Sequence, residues 1–153
     1  YFLKNGSLRS VNVNDPTSTD EILVKNDVET ILVSNDGENV YIVDKNDTLY
    51  YVEGAEETTR IADDVENVYM TIDGTVLYTD EDNVLYCSEN GKKGEKIDDD
   101  VCYVEVELGT VVYYADKNSS TGNASVSISD DGTSFEKVAG SKEFRIPGSE
   151  YNY

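Results

Sequence analysis

The sequence predicts an all-β fold built from a small repeated unit, and three observations carry that prediction. Short runs alternate apolar and polar residues with a period of two, the pattern of a strand with one buried face. Val, Ile, Tyr and Thr are abundant, and these residues suit strands over helices. The third observation is an internal repeat. Gly37, Gly74 and Gly109 each stand four residues before a tyrosine, at Tyr41, Tyr78 and Tyr113, so successive units are offset by 37 and 35 residues.

The repeat extends well beyond those glycines. One unit runs through Asp36-Gly37, Val40-Tyr41, Leu49-Tyr50 and Arg60-Ile61 to Asp63-Asp64-Val65. The next runs through Asp73-Gly74, Leu77-Tyr78, Leu85-Tyr86 and Lys96-Ile97 to Asp99-Asp100-Val101. The third continues from Gly109 through Val112-Tyr113 to Lys137-Val138. In the clearest unit the strands are Val68 to Ile72, Val76 to Thr79, Val84 to Ser88, and Gly94 to Ile97. Asp73-Gly74 signals a tight hairpin turn, Glu81-Asp82-Asn83 the next, and Glu89-Asn90-Gly91 with Lys92 and Lys93 the third. Four antiparallel strands in a meander of about 36 residues describe a compact propeller blade. No stretch sustains a helical period.

The ends extend the pattern. Tyr1 to Asn5 resembles Tyr41 to Lys45, Ser7 to Val13 supplies a further strand, and Ile22 to Val28 matches Thr59 to Val65. Asn14 to Asp20, with Pro16, reads as a longer loop inserted in that first unit. Lys142 to Ile146 resembles a first strand with no blade after it. The expectation is a single domain over residues 1–153, with blade units 1–28 plus 142–153, 29–65, 66–101 and 102–141. Four four-stranded blades would then form a β-propeller-like ring, closed by Lys142 to Ile146 pairing with the first blade. The alternative is an open arc of a larger propeller.

Charge narrows the partners. Thirty-two acids against twelve bases give a net charge of −20, which repels nucleic-acid phosphates and anionic membrane surfaces. No apolar run is long enough to span a membrane, so no direct membrane insertion of this segment is expected. The chain starts at Tyr1 without methionine or a secretory signal pattern, which reads as a portion of something longer. Cys87 and Cys102 are too few for a disulfide framework. They read as two buried or half-buried thiols, with a pairing open if the chain is extracellular.

The run Thr71-Ile72-Asp73-Gly74-Thr75-Val76-Leu77-Tyr78-Thr79-Asp80, followed by Val84-Leu85-Tyr86, resembles the repeats of bacterial propeller-like domains. These include TolB-type repeats and cell-surface domains with Leu-Tyr-Tyr and Asp-Asp-Val motifs, here Leu49-Tyr50-Tyr51 and Asp63-Asp64-Val65. The resemblance covers most of residues 29–139. It implies a β-propeller, often exported or displayed on an anchoring segment, and it implies no single activity.

Tyr41, Tyr78 and Tyr113 fit either a glycan-binding face or rings packed between neighbouring blades, with hydroxyls reaching water or the backbone; packing is the expectation. Asp80, Asp82 and Asn83, and the equivalent Asp44, Asn46 and Asp47, offer oxygens at alternating positions. They lack the glycine and distal glutamate of the familiar calcium loop, so turn formation is the main reading and calcium at the acidic turns the alternative. Asp98-Asp99-Asp100 is a like-charge run that would also welcome a cation. With no histidine, imidazole-activated nucleophiles are excluded. Paired carboxylates of the glycosidase kind need none, but nothing singles out a pair. No catalytic, cofactor-binding or metal residue is therefore assigned, and no cofactor. The expectation is a non-catalytic extracellular or cell-surface binding or scaffolding module of a bacterial envelope protein, with a protein or glycan ligand. The alternatives are a glycan-acting enzyme and a structural fragment of a larger propeller.

Overall fold

The structure, a computed structural model, describes residues 1–24, 26–118, 120–121 and 123–138. Among these residues there is no helix, and fifteen strands form four antiparallel sheets. The first sheet holds β1 (Phe2–Lys4), β2 (Ser7–Ser10) and β3 (Glu21–Val24). The second holds β4 (Val28–Val33), β5 (Val40–Asp44), β6 (Leu49–Gly54) and β7 (Glu57–Ala62). The third holds β8 (Val65–Met70), β9 (Val76–Asp80), β10 (Leu85–Ser88) and β11 (Glu95–Asp98). The fourth holds β12 (Val101–Glu107), β13 (Thr110–Ala115), β14 (Ser125–Ser129) and β15 (Glu136–Lys137). Every sheet is a meander in chain order, and the insertion read at Asn14 to Asp20 is the loop between β2 and β3.

Each of the two inner sheets buries one face against the sheet before it and the other against the sheet after it. Leu8 and Leu23 of the first sheet meet Val40 and Ile42 of the second. Tyr41, Val43, Leu49 and Ile61 of the second meet Val65, Val76 and Tyr78 of the third. Leu77, Leu85 and Cys87 of the third meet Val104, Val111, Tyr113 and Ala115 of the fourth. Among the described residues no such cluster joins the fourth sheet to the first, so the sheets make an open row. The described residues thus form an open row in place of the expected closed ring of four four-stranded blades, and their first sheet holds the three strands expected of residues 1–28 and no fourth. The proposed closing strand, Lys142 to Ile146, lies outside the described residues.

One hydrogen bond repeats at each junction and explains the Asp-Asp-Val motif. The amides of Val28, Val65 and Val101 donate to the carbonyls of Gly6, Asp47 and Asn83 of the preceding sheet, at 3.0, 2.9 and 2.9 Å. The residues just before these valines, Asp27, Asp64 and Asp100, have φ of 66°, 53° and 50°. The accepting residues are also left-handed, with φ of 72°, 57° and 60°. Asp and Asn tolerate this region because their short polar side chains can bond locally, which is why the motif is acidic at that place. The three valines are buried, so each donor amide sits beside an apolar anchor. This bond also moves the start of the third sheet from the expected Val68 back to Val65. Arg60–Asp63 and Lys96–Asp99 repeat as ion pairs on the strand ahead of the link. Being exposed, such pairs contribute only about 0–1 kcal/mol each.

Strand register separates the three tyrosines that spacing had aligned. Tyr78 lies opposite Tyr86 and Val68, and Tyr113 lies opposite Ser127 and Val104. The residue in that place in the second sheet is Ile42, opposite Tyr50 and Ile31. Tyr41 is its neighbour and points to the other face. The cause is one extra residue in the loop of residues 34–39, against 71–75 in the next unit. A slip of one residue turns a strand position over. Tyr78 and Tyr113 therefore face the sheet before them, and Tyr41 faces the sheet after it.

Candidate functional site

The tyrosines are packed between sheets and form no open aromatic platform. Tyr41 is fully buried, and its hydroxyl accepts the Gly91 amide at 3.0 Å from the next sheet. Tyr113 donates to Asp98 Oδ2 of the preceding sheet at 2.8 Å. Tyr78 stacks on Tyr86 with ring centroids 5.1 Å apart. Burial raises the phenols of Tyr78 and Tyr113 to about 12. The hairpin loop between β10 and β11 closes over this group. A Cβ on Gly91, whose φ is +73°, would collide with the Tyr51 ring, and one on Gly94 would collide with the Tyr78 hydroxyl.

The acids singled out as cation ligands hold their own turns. Asp44 Oδ1 accepts the amides of Asn46 and Thr48 at 2.9 and 3.1 Å, and Asp80 Oδ1 those of Asp82 and Val84 at 3.1 and 3.0 Å. Asp47 and Asn83 supply the carbonyls of the inter-sheet link. Asp98 accepts from Tyr113 and from the Asp99 amide, Asp99 pairs with Lys96, and Asp100 is the left-handed residue before Val101. Among the described residues no group of three or more His, Cys, Asp or Glu side chains is placed to hold a metal ion.

A second turn device went unread in the sequence. Ser34-Asn35-Asp36-Gly37, Thr71-Ile72-Asp73-Gly74 and Ser129-Asp130-Asp131-Gly132 share a hydroxyl residue that donates to the Asp two places on. The first two lie after the first strand of a sheet, but the third lies after β14, out of phase with the repeat, which hid it. Asp131 also accepts the amides of Thr133 and Ser134 at 2.8 and 2.9 Å. These bonds, the Ser134 amide foremost, hold its carboxyl well below the ordinary carboxylate range. Among the described residues, every carboxylate with a resolved shift moves downward: Asp15, Asp20, Asp36, Asp63 and Asp131.

The cysteines separate. Cys87 is buried in the cluster between the third and fourth sheets, where burial raises its thiol. Cys102 is exposed, correcting the expectation of two buried or half-buried thiols, and its Sγ lies 3.2 Å from the Tyr114 carbonyl. Both are free thiols.

A shallow cleft open to a ligand lies above the inter-sheet link. Between the second and third sheets it encloses about 400 Å³ and is lined by Asp47, Asp64, Val65, Glu66, Asn67 and Glu81. Between the third and fourth it recurs at about 400 Å³, lined by Asn83, Asp100, Val101, Cys102, Asp116 and Lys117. Asp47, Asp64 and Glu66 correspond to Asn83, Asp100 and Cys102. The build is therefore common to both junctions while the charge is not: the first cleft carries four acids and no base, the second two acids and Lys117. Compared with known protein families and with curated proteins, the chain matches no family model and none of those proteins.

Proposed function

We propose that this chain is a non-catalytic, extracellular binding or scaffolding module of a bacterial cell-envelope protein, its row of sheets being an arc of the propeller-like kind. The ligand favoured is a protein presenting lysine or arginine side chains. The observation that carries this reading is the acidic cleft of Asp47, Asp64, Glu66 and Glu81, set on the backbone link that fixes two sheets together. Four carboxylates on a rigid junction attract cations and discriminate by charge more than by shape. Glycan recognition is the less favoured form, because Tyr41, Tyr78 and Tyr113 are buried and present no ring face to a sugar. A glycosidase would need one carboxylic acid raised in pKa, and the resolved shifts run the other way.

The test is titration of the isotope-labelled chain with short lysine- and arginine-rich peptides and with cell-wall glycan fragments, followed by amide shifts. Salt-sensitive shifts clustered at 64–67 and 81, abolished by Glu66→Lys with Glu81→Lys, are expected for the peptides. Glycan-induced shifts there that survive the double variant would replace the proposed ligand class. No shift at the cleft with either set would sink the reading.

A further inference from the structure

We propose that the two end sheets are complementary halves of one interface, through which a second copy of this chain docks head to tail. The inference is independent of the cleft, and begins from the polarity of the row. Each internal gap joins the follower-facing side of one sheet to the predecessor-facing side of the next. Among the described residues, the fourth sheet leaves a follower-facing side over, and the first sheet leaves a predecessor-facing side over.

Register identifies both surfaces. In the third sheet the follower-facing residues are Leu77 and Cys87, opposite each other, and Leu85, with exposures of 0%, 7% and 0%. Their counterparts in the fourth sheet are Val112 opposite Ile128, and Val126, which lies opposite Tyr114. Val126 is buried at 6%, but Ile128 is 38% exposed, and Val112 and Tyr114 are only half-buried. Tyr103 lies opposite Tyr114 on the same side, their ring centroids 5.6 Å apart. A side that is apolar and closed in the two inner sheets is thus apolar and half-open in the last.

The first sheet offers the matching half. Phe2 lies opposite Arg9, on the side away from Leu8 and the second sheet. It occupies the place of Tyr78 and Tyr113, the aromatic residues that face the preceding sheet. Those two are buried at 4% and 5%, whereas Phe2 is half-buried.

Charge favours the same pairing. Lys4 and Arg9 share the Phe2 side of the first sheet. Glu105, Glu107 and Glu136 share the Ile128 side of the fourth and are exposed. Arg9 pairs with Asp20 through Nη1 at 2.5 Å, but its Nε is buried without an acceptor among the described residues. Opposite charges around an apolar centre would fix the order of docking. Contact between two unlike surfaces is heterologous, so it extends into a stack instead of stopping at a symmetric dimer.

Sedimentation velocity of the full chain from about 1 μM to about 1 mM tests this, with circular dichroism to check folding of every variant. Association beyond the 17.0 kDa monomer is expected as concentration rises. Ile128→Lys and Phe2→Asp should each remain monomeric, with Tyr114→Lys and Arg9→Glu as second choices for the two surfaces. The decisive sample is the mixture of one variant from each surface. Each retains one intact half, so together they should form a dimer of twice the chain mass and nothing larger. A wild-type chain that stays monomeric across the range overturns the proposal, whether its end surfaces remain bare or meet within one molecule. A mixture that stays monomeric, or a single variant that still associates, overturns the head-to-tail arrangement.

Discussion

The gap between the second and third sheets and the outer side of the fourth sheet are built from the same repeat positions but have different surroundings. In the gap, Tyr41, Leu49, Val76 and Tyr78 are closed off from water, and the 89–94 loop folds over the rings. On the fourth sheet Val112 and Ile128 occupy corresponding places with no covering sheet among the described residues. A repeat sequence writes contacts for both faces of every unit, whether or not a neighbour stands on each side. Stability is then a sum over filled junctions, and the same substitution has different costs at different units.

Alanine at equivalent positions is the sharpest way to break that comparison. Leu77→Ala removes a fully buried side chain and should cost about 2–5 kcal/mol, while Val112→Ala should cost less than about 1 kcal/mol. Urea unfolding of both variants measures the difference; equal costs would mean the fourth sheet is covered as tightly as the third. Alkaline pH is the next largest lever. An unfolded tyrosine ionises near pH 10, whereas Tyr78 and Tyr113 are held protonated to about 12. Raised folded pKa values make their contribution fully present below pH 10 and lost as pH rises toward 12. The expected loss is up to about 2 kcal/mol for each ring, read as a falling melting temperature in step with late tyrosinate absorbance.

Gly91→Ala should cost about 1–3 kcal/mol, because the new methyl meets the Tyr51 ring and the backbone there is left-handed. A neutral result in thermal melting would mean the loop is not seated on the tyrosines. The smallest effect is of opposite sign. Leu108-Gly109 turns β12 into β13 with φ of 47° and 90°, and Leu108 is 92% exposed. The two-residue turn between β1 and β2, of the same left-handed shape, uses Asn5-Gly6, which suits that conformation. Leu108→Asn should therefore raise stability by about 0.5–1 kcal/mol, seen as a higher melting temperature.

Period-two alternation and the repeated Leu-Tyr and Asp-Asp-Val runs were enough to read the meander and most strand positions. The face of Tyr41 was not legible, because equal spacing from Gly37 and Gly74 concealed a loop longer by one residue. Facing is decided by cross-strand pairing, which distance from a glycine does not encode. The third hydroxyl-x-Asp-Gly turn was missed for the converse reason: it is the same local device at a different phase of the repeat. The junction cleft was the least legible feature. Glu66 and Glu81 are ordinary surface acids in the sequence and become neighbours of Asp47 and Asp64 only when one sheet is laid on another.

The link at each junction also gives the molecule its own set of gauges. The amides of Val28, Val65 and Val101 are each committed to a carbonyl in the preceding sheet. Solvent deuterium can reach such an amide only when its own junction parts. Three exchange rates thus resolve three separate opening equilibria, and whether they agree or spread tells if the row unzips from an end or gives way as one body.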